Sequence, residues 1–322
     1  MEAFSERGGE LQESSGFDLG KVRTPLVIML AFWAIGIFGY VWGRPLYLLN
    51  FGYIGSAIGA GIGLYGVLPR PRKVLGRKLT QFLVGGYMLG LLGLLARENM
   101  QLSGFFFYLL TGFFAGAVIH YLVAKIFGPF LFGRGWCGWA CWTAMILDLL
   151  PFSRSGGRLP GRRGHFRYLM FAMTLGLVLT LLFLLHYRVE VNSVEELYWL
   201  LAGNGVYYAV GIGLAFTLKD NRAFCKYVCP IVLPLKTTSR FSLIKIGGNP
   251  ALCDECGACM RVCPMDIRIS DYIKSRGRVL STECIFCLTC INSCPGDVLD
   301  ITFGVDAGTK ELLRERSVPP GC

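Results

Sequence analysis

The runs CDECGACMRVCP (residues 253–264) and CIFCLTCINSCP (residues 284–295) carry eight of the chain's 13 cysteines. Both follow the spacing Cys-x2-Cys-x2-Cys-x3-Cys-Pro, and the second begins 31 residues after the first, Cys253 to Cys284. This is the bacterial two-cluster ferredoxin spacing. Three closely spaced thiolates wrap one corner of a cubane. The fourth cysteine, held by the turn at its following proline, reaches the other cluster. The spacing therefore predicts one [4Fe–4S] cluster on Cys253, Cys256, Cys259 and Cys294, and a second on Cys284, Cys287, Cys290 and Cys263. Zinc also accepts four thiolates, but two complete runs with both Cys-Pro pairs favour iron–sulfur.

These runs define a compact domain over 248–304. Strand-like stretches flank it, Ser242 to Ile246 on one side and DVLDITF (297–303) on the other, as a ferredoxin fold requires. A connector with several prolines, 219–247, precedes the domain, and residues 305–322 read as a loose tail.

Further upstream the chain is apolar. Of its 322 residues 53% are hydrophobic and the mean hydropathy is +0.51, unlike soluble domains. Stretches near bilayer-spanning length recur at 24–43, 48–68, 80–96, 104–127, 168–187 and 203–218. The last is short and rich in glycine. The expected fold is an α-helical membrane protein with six transmembrane helices over 24–218 and a C-terminal α+β ferredoxin-like domain. Residues 1–23 form a polar tail without the apolar core of a signal peptide.

The net charge of +11 invites a nucleic-acid reading, but its placement excludes one. Arg70, Arg72, Lys73, Arg77 and Lys78 follow the second stretch. Arg134, Arg154, Arg158, Arg162, Arg163 and Arg167 follow the fourth. The alternate loops hold little more than Arg44, Arg97 and Arg188, beside Glu98, Glu190, Glu195 and Glu196. This is the positive-inside pattern. It predicts a multi-pass inner-membrane protein among lipid, with both termini and the ferredoxin domain cytoplasmic. Thiols stay reduced there, and all cysteines except Cys322 fall on that side. The glycines four apart, Gly55, Gly59 and Gly63 with Gly86, Gly90, Gly112 and Gly116, read as close helix packing.

RGWCGWACW (134–142) raises a separate question. Its Arg-x-x-Cys-x3-Cys pattern returns as RAFCKYVCP (222–230), offset by 88 residues from Cys137 to Cys225 and from Cys141 to Cys229. Each copy lies just beyond the cytoplasmic end of a span, so two halves of one site face each other. Cys137, Cys141, Cys225 and Cys229 then hold a third iron–sulfur cluster, another soft metal such as copper or zinc, or act as redox thiols; a purely structural role is the fourth option.

With the spans, the paired CxxxC motifs and the two-cluster domain in view, the chain resembles the NapH/NosR family of membrane polyferredoxins. The resemblance covers about 104–304 well and the first spans loosely. It implies electron transfer between the quinone pool and a redox partner, another subunit of a quinol dehydrogenase or related respiratory complex. The first motif departs from the family pattern, with Trp142 where relatives carry proline, as at Pro230. No site for covalently attached flavin is evident, so flavin chemistry is not expected.

The span interiors hold essentially no charge, which argues against an ion pump. His120 and His186 lie at different depths, so they do not clamp one haem. His186 precedes Ser193 and Glu196, a capping-box pair, so a short interfacial helix is expected there, with Tyr198 and Trp199 at headgroup level. His186 with Glu190, Glu195 or Glu196 is the candidate base for an exchangeable quinol; a solvated acidic loop is the plainer reading. The expected function is an iron–sulfur relay between (mena)quinone and a redox partner. Copper on the four CxxxC thiolates would instead mark a metal-handling assembly or maintenance factor. A redox-sensing scaffold would show no sustained turnover.

Overall fold

The structure, a computed structural model, describes residues 19–316 apart from Ala115 and Val189, and only the backbone of residues 19–22 and Arg162. Cys322 and the first 18 residues lie outside the described residues. The chain divides into two compact units, up to Gly59 and from Ala60 onward.

In the first unit, helix Leu19–Val41 packs along the start of helix Pro45–Val67. The contact is close because Gly55 has no side chain: a Cβ there would lie 2.3 Å from the Cβ of Phe32. Overpacking of this kind costs about 1–3 kcal/mol. Gly55→Val is therefore expected to lower the midpoint of thermal unfolding in detergent; an unchanged midpoint would mean the two helices do not meet there.

Helices Arg23–Val41, Pro45–Val67, Arg70–Leu95, Arg163–Leu184 and Val194–Leu218 are long and apolar enough to cross a membrane. The expected fourth span, 104–127, is broken instead. Helix Leu102–Thr111 ends at Gly112, whose φ of 78° suits glycine, and helix Gly116–Phe132 leaves at 113° to it. Ten residues rise only about 15 Å, too little to span a bilayer. The sixth stretch also differs. The short helix expected at Ser193 and the span expected at 203 are one 25-residue helix, Val194–Leu218, capped by the Ser193 hydroxyl accepting from the Glu196 amide at 3.3 Å.

Within the second unit, Arg134 and Arg167 reach the ferredoxin domain at Glu283, and Arg316 donates to the carbonyl of Leu218. Leu181, Tyr187, Asn99 and Glu196 gather at the opposite, distal end. In the ferredoxin domain the two expected strands pair: Ile244–Gly248 runs antiparallel to Leu299–Phe303, with Ile246 opposite Ile301. The stretch read as a loose tail is ordered in its described part. Arg158 exchanges backbone bonds with it (Arg158 N to Arg314 O 2.9 Å, Arg316 N to Arg158 O 2.7 Å), and the Arg268 amide donates to the Leu312 carbonyl.

Part of the basic charge is not free surface. Arg77, Arg134, Arg158 and Arg167 are buried, and each is paired with a carboxylate.

Candidate metal centres

The two ferredoxin runs have the same backbone shape. Positive φ occurs at Glu255 and Phe286, at Gly257 and Leu288, and at Asp266 and Asp297, three pairs each 31 residues apart. These left-handed turns fold each loop inward so that its thiols converge. Cys253, Cys256, Cys259 and Cys294 line one cavity of about 350 Å³. Cys263 instead faces Cys284, Cys287 and Cys290. The exchange of the fourth cysteine between runs is thus visible in the fold.

Burial pushes the Cys259 thiol up to about 11 and those of Cys263 and Cys284 to about 12, and neighbouring thiols add to it. Thiolates are the ligating form, so such sets favour a positive metal core among them. The donor chemistry and the cavity fit iron–sulfur cubanes.

The CxxxC motifs also share one local structure. Each forms a single helical turn, Gly135–Trp139 and Ala223–Tyr227, with its arginine just before it. Backbone bonds repeat at the 88-residue offset: Ala140 and Cys141 donate to Trp136, Val228 and Cys229 donate to Phe224. The four thiols come together. Cys225 is pushed up to about 11 by burial, with Cys137 and Cys141 beside it. Cys229 rises further, through burial and then Cys225, Cys137 and Cys141. Trp142, which replaces the expected proline, donates from Nε1 to Asn204 Oδ1 at 3.0 Å and so ties this motif to the last helix.

Three buried cations surround the thiols: Lys125, Arg134 and Arg222, none more than 2% exposed. Arg222 donates to the carbonyl of Cys137 at 3.0 Å. Nε and Nη2 of Arg134 and Nε of Arg222 have no partner among the described residues. Buried donors of this kind call for an acceptor, and a thiolate-ligated cubane is anionic and rich in acceptor sulfur. A single zinc would draw its thiolates to about 2.3 Å from one ion. Among the described residues no three His, Cys, Asp or Glu side chains are grouped to hold one ion.

Two carboxylates bind this site to its surroundings, and both escaped the sequence reading. Glu283, 1% exposed, accepts from Arg134 at 2.8 Å, Arg158 at 3.0 Å, Arg167 at 2.9 Å and Lys236 at 2.7 Å. Burial alone would raise its pKa; the four cations outweigh that and hold it well below the carboxylate range. Asp148 accepts from Arg77 and Arg222, and they likewise hold it low against its burial. Glu283 immediately precedes Cys284. The next loop touches the first motif directly: Trp139 Nε1 donates to Phe286 O at 2.8 Å, and Gly138 lies under Ile285 O. The CxxxC site therefore abuts the second thiol set.

The expected quinol residues are not brought together. His186 and Glu190 are exposed, and Glu195 accepts from the Tyr187 hydroxyl at the surface. Only Glu196 turns inward, on the helix face that also buries Leu200 and Asn204. His120 lies between Trp136 and Trp142, at ring distances of 4.7 and 6.0 Å.

Fold and site define a class: a membrane polyferredoxin, with cysteine-rich loops gathered at one end of an apolar helical bundle. Family descriptions agree. A 4Fe-4S dicluster domain matches residues 245–295, and a 4Fe-4S binding domain matches 104–156 and 205–247, the segments that carry the CxxxC motifs. These matches, and the relatives below, support a NapH/NosR-type polyferredoxin family for the chain. The putative electron transport protein YccM of Escherichia coli is 28% identical over 54% of this chain and 52% of its own, so the chain spans about half of that relative's length. The methylamine utilization ferredoxin-type protein MauN of Paracoccus denitrificans is 29% identical over 61% of this chain and 71% of its own. The ferredoxin-type protein NapH of E. coli is 24% identical over 61% and 69%. No solved structure matches. The ferredoxin-type relatives support iron–sulfur electron transfer, and the apolar helices and membrane relatives support a membrane protein.

Proposed function

We propose that the protein relays electrons between the menaquinone pool and a redox partner through three [4Fe–4S] clusters. Cys253, Cys256, Cys259 and Cys294 hold the outermost; Cys284, Cys287, Cys290 and Cys263 hold the middle one; Cys137, Cys141, Cys225 and Cys229 hold the third, nearest the spans. The clusters supply one-electron steps, and the chain supplies placement and tuning. The observation that carries this reading is the convergence of the four CxxxC thiols in a buried cationic cradle, against the Cys284–Cys287 loop. The ferredoxin domain and both termini lie in the cytoplasm, where Arg134, Arg158 and Arg167 set the orientation, and the partner is another subunit of a membrane redox complex.

The test is iron analysis and low-temperature EPR of protein purified anaerobically in lipid nanodiscs. About twelve irons per chain are expected, four per cubane, with menaquinol reducing the clusters. About eight irons, with copper on the CxxxC thiols, would replace this reading by a metal-handling one.

A further inference from the structure

At the distal end of the second unit lies a half-open cleft. Its walls are mostly apolar, with Phe107, Leu177, Val178 and Leu181 among them, and two of its polar groups are Tyr108 and Glu196. An apolar wall with a few convergent polar groups is the composition of a small-molecule site. Glu196 is 3% exposed and Tyr108 is 1% exposed. The Tyr108 hydroxyl and the Glu196 carboxylate lie side by side on this wall. Behind Glu196 lies a second buried carboxylate, Glu98, which accepts the amide of Ala117 at 2.6 Å. Burying ionisable groups is costly unless they are partnered.

The cavity connects to the CxxxC site through aromatic rings. Phe105, one turn from Tyr108, stacks on Tyr121 at 4.7 Å and 16°. Tyr121 meets His120 at 5.7 Å, and His120 meets Trp136 at 4.7 Å. Trp136 immediately precedes Cys137. The apolar wall suits a ring with an isoprenoid tail, and the polar pair suits a ring hydroxyl.

We propose that this cavity binds the ring of an isoprenoid quinol, and that Glu196 is the base that takes its protons. The site rests on the quinone-relay reading above. Oxidation breaks two O–H bonds and yields one quinone, two protons and two electrons. Glu196 takes each proton in turn and hands it through its buried neighbour Glu98 to water, one proton per electron transferred. The electrons leave singly along the rings to an oxidised [4Fe–4S] cluster on the CxxxC thiolates, and from there to the redox partner.

The test uses the cluster-loaded chain in lipid nanodiscs and menaquinol carrying a four-isoprene tail. Binding is read from quenching of Trp199, which lines the cavity, by the matching menaquinone. Cluster reduction is read by EPR. In Glu196→Gln, quenching should stay within about threefold of wild type while reduction by menaquinol slows about 100-fold or more, the scale of lost proton transfer. Dithionite should still reduce every cluster, which reports an intact fold. In Val178→Phe, which fills the cavity, quenching should be lost. Wild-type reduction that neither substitution alters would overturn the site and leave the relay standing. A wild-type chain that menaquinol neither quenches nor reduces would overturn the relay itself.

Discussion

Glu283→Gln is expected to release the ferredoxin domain from the helical bundle. The substitution keeps shape and removes charge, leaving Arg134, Arg158, Arg167 and Lys236 without their shared anion. Breaking one buried pair costs about 3–5 kcal/mol, and four cations depend on this carboxylate. A fall in the unfolding midpoint on the order of 10 °C or more follows, with new proteolytic cleavage in the connector 219–247. A midpoint within a degree or two of wild type would show that the cations find other partners. Acid should reproduce the effect. The folded carboxyl is held well below 4.5, so the unfolded chain binds the extra proton first. The stabilisation is complete above the unfolded value near 4.3 and is lost as pH falls from there through the folded one. Glu283→Gln should flatten that acid limb in a series of melts.

Cys141→Ser is expected to separate the two ends of the relay. Serine is a poor ligand for a cubane, so iron should fall from about twelve to about eight per chain. Dithionite should still reduce the two ferredoxin clusters, whose thiols lie in other loops. Menaquinol should no longer reduce them, because the centre beside the spans is gone. The readout is anaerobic stopped-flow bleaching of the clusters with each reductant in turn. Unchanged iron content and unchanged menaquinol kinetics would remove the third centre from the mechanism.

The sequence made some of this legible and hid the rest for physical reasons. The thiol sets were readable because their spacing is local covalent geometry: Cys253 to Cys263 and Cys284 to Cys294 each close within one loop. The CxxxC halves were readable because the repeat at 88 residues preserves an arginine as well as the cysteines. The anchors of that site were not. Arg134 finds Glu283 across 149 residues, and no local pattern marks such a pair. The basic loops were read as topology signals, and their buried ends give no hint in composition. The break after Thr111 hid inside a continuous apolar run, because hydropathy does not register a left-handed glycine. Glu196 was singled out as a cap and a possible base, but its partner Glu98 sits on a different loop.

The cradle around the CxxxC thiols also bears on how the chain is born. Synthesis runs from the N-terminus, so the helices and Arg134, Arg158 and Arg167 reach the membrane before Glu283 has left the ribosome. During insertion those arginines are hydrated, and they orient the nascent bundle. Only when the C-terminal domain has folded does its carboxylate arrive to neutralise them and let water leave. Glu283 adjoins Cys284, so the same folding step that shapes a cluster loop also seals this end of the bundle. A chain that stalls before that step carries a hydrated, half-closed base, a state that quality-control proteases can distinguish from the finished protein.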